Sequence, residues 1–64
     1  MIDPNDVETL VWRGPEVEKR GAVRLIHKPT GIVAESSEHE SQIANRDAAM
    51  RELVRRVAEA AEAP

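Results

Sequence analysis

The C-terminal part of the chain carries one long helical period, whereas the segments before it alternate in the manner of strands. From Ile43 onward, apolar residues recur at Met50, Leu53, Val54, Val57 and Ala61, the i, i+7, i+10, i+11, i+14 spacing of one helix face. The other face carries Arg51, Glu52, Arg55, Arg56, Glu59 and Glu62. Asp47 with Arg51 and Glu52 with Arg56 are acid-before-base pairs at i,i+4, each worth about 0.2–0.5 kcal/mol. This is a solvated, salt-laced face and not a basic stripe. Ser41 and Asn45 are both candidate N-caps, and Ser37 with Glu40 matches a capping box, so several starts compete.

A single amphipathic helix needs a partner layer, and the first 36 residues supply the strands for one. "DVETLVWR" sets Val7, Thr9 and Val11 on one face and Leu10 with Trp12 on the other, a strand expected to be covered on both sides. "GPEVEKRG" breaks it at Gly14 and Pro15 and ends at Gly21. "AVRLIH" alternates again, "KPTG" is a connection with Pro29 set to fix a turn and Gly31 free to take positive φ, and "IVAES" returns. Residues 22–36 therefore read as a β-hairpin. The expected fold is α+β: a small β-β-β-α domain, an antiparallel three-stranded sheet with one long C-terminal helix packed across it. Residues 1–64 form one domain, with 1–5 expected as a frayed lead-in and 61–64 as a frayed tail.

The core of such a domain is thin. A chain this short buries only roughly 60% of its unfolded surface. With no Phe, no Tyr and one Trp, burial rests on aliphatic side chains, each giving about 1.5–3 kcal/mol when fully buried. Trp12 is expected as the largest core anchor, with a partner-facing hot spot as the other reading. The absence of cysteine excludes disulfide and thiolate chemistry within these residues. "MIDPND" lacks the basic and apolar regions of a signal peptide, and no apolar run approaches the roughly 20 residues of a membrane span. The expectation is a cytoplasmic protein with no membrane contact.

A formal charge of −3 argues against a general nucleic-acid binder. The charge is unevenly spread, however. Lys19, Arg20, Arg24 and Lys28 fall within ten residues that contain no acid, and Glu35, Glu38 and Glu40 follow. A solvated strand face and an RNA-facing patch both fit that run. His27 and His39 with Glu35, Glu38 and Glu40 match no closed zinc spacing, so no metal and no cofactor are expected. Ser36, Ser37 and Ser41 near His39 lack the strand-to-helix elbow or glycine frame of an activated nucleophile. No small-molecule substrate is implied.

Two stretches, "GAVRLIHKPTGIVAES" and "SQIANRDAAMRELVRRV", resemble the catalytic domain of bacterial class I peptide chain release factors and of the codon-independent peptidyl-tRNA hydrolases that rescue stalled ribosomes. In that family a strand of the form AVR-aliphatic-x-H leads to PTGIVV, then a polar loop, then SQ-x-x-N opening a helix. Ala22, Val23, Arg24, Leu25 and His27 match the first element, Pro29, Thr30, Gly31, Ile32 and Val33 the second, and Ser41, Gln42 and Asn45 the third. The resemblance covers about residues 6–57 and makes His27, Pro29, Thr30, Gly31, Ser41 and Asn45 scaffold residues.

The departures concern chemistry and binding. Between the first two strands the family carries a Gly-Gly-Gln loop whose glutamine backbone N–H stabilises developing charge as water attacks the ester, on a backbone only glycine can adopt. This chain has "RGPEVEKRG" there, with neither Gly-Gly nor Gln. Where the family sets basic residues around SQ-x-x-N, this chain has Glu40, Ile43 and Ala44. The resemblance therefore implies a non-enzymatic, Gly-Gly-Gln-less domain that binds the ribosome or a termination or rescue factor. Arg13, Lys19, Arg20, Arg24, Lys28 and Gln42 are the candidate RNA- or partner-binding residues. The alternative is a protein-interaction or self-associating module, a homo-oligomer formed through an exposed strand edge included. An active hydrolase would need another subunit to supply the loop.

Overall fold

The structure, a computed structural model, describes residues 2–12 and 21–62. Three strands, β1 (Val7–Trp12), β2 (Ala22–His27) and β3 (Ile32–Ser36), form one antiparallel sheet in the order β1-β2-β3, followed by a helix, α1 (Gln42–Glu62). The register pairs Val7 with His27 and Trp12 with Ala22 on one side of β2, and Val23 with Ser36 and His27 with Ile32 on the other. The β2–β3 connection is a four-residue turn. His27 C=O accepts from Thr30 N–H at 3.2 Å and Gly31 N–H at 2.7 Å, and Gly31 takes φ +75, a backbone that favours glycine.

Helix α1 lies over β2 and β3. Strand alternation turns Val23 and Leu25 toward it from β2, and Ala34 from β3; with Ala49 and Leu53 of the helix they form the fully buried core. Ile2, Val7, Ile32, Met50 and Val57 pack around its rim. Ala34 and Ala49, small and fully buried, let helix and sheet approach closely.

Four details differ from the sequence reading. First, the buried helix stripe is Asn45, Ala49, Leu53, at i, i+4, i+8, whereas Ile43 is 74% and Val54 44% exposed. At about 100° per residue, Ile43 and Val54 sit roughly 160–180° around the helix from Asn45. Second, β1 is not covered on both sides: Thr9 is exposed, and Leu10 and Val11 are 37% and 40% exposed. The helix packs mainly over β2 and β3, away from Thr9 and Val11, and Leu10, cross-strand from Arg24, lies on the face opposite the helix. The side chain of Trp12 lies outside the described residues.

Third, the lead-in is part of the fold. Pro4–Asp6 form a 3-10 turn with Asp3 Oδ1 accepting from Asn5 N–H at 2.9 Å, Ile2 packs against the core, and Lys28 N–H donates to Asp6 C=O at 2.8 Å. An aspartate cap before a proline at the first helical position explains the turn. At the other end, α1 runs through Ala61 and Glu62.

Fourth, the competing helix starts resolve to one. Ser41 is the N-cap, its Oγ accepting from Ala44 N–H at 3.0 Å, and Asn45 N–H makes the first helical bond to Ser41 C=O. Of the two i,i+4 ion pairs, Glu52–Arg56 forms, and no Asp47–Arg51 pair is present among the described residues. Among the described residues, no helix is long and apolar enough to cross a membrane, and no three His, Cys, Asp or Glu side chains converge to hold a metal ion.

Candidate functional site

Trp12 pairs with Ala22, so the chain leaves the sheet and returns to it side by side, and the segment between them begins and ends at one edge of the fold. Helix α1 starts at that same end. Gly21, the residue that re-enters the sheet, is buried and has φ +60, and a Cβ placed on it would lie 3.1 Å from Gln42 Cβ. A side chain there would be both strained and crowded by the first residue of the helix.

Asn45 ties this end together from the buried stripe of the helix. Its Nδ2 donates to Gly21 C=O at 3.3 Å and to His39 C=O at 3.0 Å. Its Oδ1 accepts from His39 N–H at 2.9 Å and from Ser36 Oγ at 3.1 Å. One fully buried amide therefore joins the helix, the end of β3, the 37–41 loop and the stem of the 13–20 segment. A buried side-chain amide is tolerated only when its donors and acceptor are matched in this way. The sequence reading, which took Asn45 as a cap or loop residue, missed this; the signal was a polar residue on the same helical stripe as Ala49 and Leu53.

Beside this hub a cleft of about 460 Å³ is lined by Ala22, Glu35, Ser36, Glu38, Glu52 and Arg56, among others. The hydrogen bonds that Arg55 and Arg56 donate to Glu52 hold its carboxyl at about 2, well below the ordinary range, and the same carboxylate raises Arg55. Arg56 also reaches off the helix to donate to Val33 C=O at 2.7 Å.

The other motif residues sit at the far end of β2, roughly 16 Å away at about 3.3 Å per strand residue. His27 is 8% exposed, with Nδ1 2.8 Å from Thr30 Oγ1, and Thr30 Oγ1 in turn accepts from Ile32 N–H at 3.2 Å. His27, Pro29, Thr30 and Gly31 thus shape a turn, and Lys28 is exposed within it. Arg24 lies mid-strand on the sheet face away from the helix, with Nε and Nη2 each 2.6 Å from Glu35 Oε2, its cross-strand partner. Gln42 is exposed at the helix start. The fold therefore separates Lys28 from Gln42 by the length of β2 and sets Arg24 between them on another face. Arg13, Lys19 and Arg20 lie outside the described residues.

Comparison with known proteins gives this arrangement a family. The chain belongs to the RF-1 domain family, whose model matches residues 2–64. It is 45% identical over 62 residues to "Peptide chain release factor 1" of Clavibacter michiganensis subsp. michiganensis, a match covering 88% of this chain and 17% of that protein. The protein of the same description from Clostridium novyi is 43% identical over 69 residues, covering 98% and 19%. That from Leptospira biflexa is 60% identical over 40 residues, covering 62% and 11%. The chain thus spans less than a fifth of the length of these curated relatives. No solved structure matches.

Proposed function

We propose that this chain is a release-factor-type domain that acts in translation by binding, in the cytoplasm, the ribosome or a termination or rescue factor, without hydrolysing peptidyl-tRNA. One observation carries the reading. The stem that positions the segment between β1 and β2 is intact, with Gly21 held by Asn45 and packed on Gln42, while the segment itself contains no Gly-Gly-Gln. The only glycines are Gly14, Gly21 and Gly31, so no two are adjacent. A backbone N–H aimed at a developing oxyanion needs the freedom of that glycine pair. The 69-residue match to the Clostridium relative exceeds the 64 residues of this chain, so the relative carries residues within the matched span that this chain lacks.

Arg13, Lys19, Arg20, Arg24, Lys28 and Gln42 are the proposed contacts. The Arg24–Glu35 pair does not disqualify Arg24: both side chains are about half exposed, and such pairs contribute at most about 1 kcal/mol, so a phosphate competes for the guanidinium. The test is co-sedimentation with ribosomes across a salt series, with Lys28→Glu and Arg24→Glu alongside and a peptidyl-tRNA hydrolysis assay on the wild type. Binding that weakens with salt and with either charge reversal is expected. Absence of binding at low salt refutes ribosome docking, and hydrolysis by the wild-type chain refutes the non-catalytic reading.

A further inference from the structure

The two edges of the sheet are not equivalent. In an antiparallel ladder, hydrogen-bonded and non-hydrogen-bonded pairs alternate. The bond from Lys28 N–H to Asp6 C=O makes that pair a hydrogen-bonded one, so Glu8 and Leu10 bond inward to β2. Thr9 and Val11 then direct their backbone groups to the outer edge, as does Val7, whose N–H is taken by Pro4 C=O. The same alternation turns Val33 outward on β3, and there Arg56 occupies its carbonyl. The β3 edge is guarded by a charged side chain, an arrangement that discourages strand pairing. Among the described residues, no side chain or loop bonds to the outward backbone groups of Thr9 or Val11, and exposed Leu10 and Val11 lie along that stretch of the edge.

We infer that β1 pairs antiparallel with β1 of a second copy of this chain, about a twofold at Leu10. Only registers that set outward-facing residues opposite one another form bonds, and those that place at least two such pairs within β1 have twofolds at Glu8, Thr9 or Leu10. A twofold at Glu8 opposes two carboxylates, which is unfavourable. One at Thr9 calls on the Val7 N–H that Pro4 already holds. At Leu10, Thr9 and Val11 exchange backbone bonds with Val11 and Thr9 of the second copy. Leu10 meets Leu10, and Glu8 falls opposite Trp12. The product is a continuous six-stranded sheet with both helices on one face, which covers Leu10 and Val11 without disturbing the end of the fold where Gly21 meets Asn45.

The experiment is sedimentation equilibrium of the wild-type chain over a concentration series, with Thr9→Pro. Proline at position 9 removes an outward N–H and leaves the inward bonds of Glu8 and Leu10, so the variant keeps its circular dichroism but loses the dimer. A wild-type chain that stays monomeric throughout overturns the inference, as does a dimer that survives Thr9→Pro. Should that variant unfold, Leu10→Cys and Val33→Cys decide. Opposed residues of a non-hydrogen-bonded pair lie about 4.5 Å apart, within disulfide reach. Leu10→Cys is then expected to cross-link at dilutions where Val33→Cys stays monomeric, and equal rates overturn the proposal.

Discussion

Replacing Asn45 by alanine removes a fully buried amide and leaves its partners behind. The carbonyl of Gly21 sits in a buried bond, and losing its donor there costs about 1–3 kcal/mol. The bonds to His39 N–H, His39 C=O and Ser36 Oγ are only partly buried, so water recovers much of each, and together they add about 1 kcal/mol. The expected loss is about 2–4 kcal/mol, a large share of the stability of a domain of this size, which at roughly 0.05–0.15 kcal/mol per residue is a few to about 10 kcal/mol. At about 4–8 °C per kcal/mol, the midpoint of thermal unfolding falls by at least about 8 °C, read by circular dichroism at neutral pH. Two companions test the cause. His39→Ala is expected to be nearly neutral, because His39 meets Asn45 only through its backbone. Asn45→Asp keeps an acceptor but turns it on the carbonyls of Gly21 and His39, so it is expected to be no better than alanine. A midpoint for Asn45→Ala within about 3 °C of wild type, under 1 kcal/mol by the same scale, would refute the claim that this amide holds the stem.

Two further outcomes follow from packing and charge. Leu53→Ala empties a fully buried site and is expected to cost about 2–5 kcal/mol in denaturant unfolding, whereas Ile43→Ala, at a 74% exposed position, changes stability by less than about 0.5 kcal/mol; comparable losses would contradict the observed helix face. Glu52 titrates at about 2 in the folded chain against 4.5 ordinarily, so its contribution is present above the ordinary value and is lost as pH falls from about 4.5 toward 2. Glu52→Gln should flatten the acid limb of stability against pH in that window, and an unchanged limb would show that the arginines do not stabilise the ionised carboxylate.

The Asn45 hub also bears on how the domain acts. It fixes the place where the segment between β1 and β2 returns to the sheet, whatever that segment carries. Gly21, Gln42 and Asn45 make the contacts that set this return point.

Alternation of apolar and polar residues in "AVRLIH" and "IVAES", the Pro29–Gly31 turn and the single helical period after Ser41 were enough to set the β-β-β-α order and its antiparallel hairpin, since those patterns depend only on local geometry. The motif residues were legible for a different reason, the resemblance of "AVRLIH", "PTGIV" and "SQIAN" to the release-factor family. Local pattern was silent on which part of the helix circumference meets the sheet. Ile43 and Val54 are as apolar as Leu53, and only the seating of α1 over β2 and β3 left them in solvent while burying Asn45. That seating also left Val11 exposed, because the helix packs mainly over β2 and β3. Pairings such as Asn45 to Gly21 and Arg56 to Val33 join residues more than twenty positions apart, and only tertiary packing brings a side chain within hydrogen-bond reach of a backbone so distant along the chain.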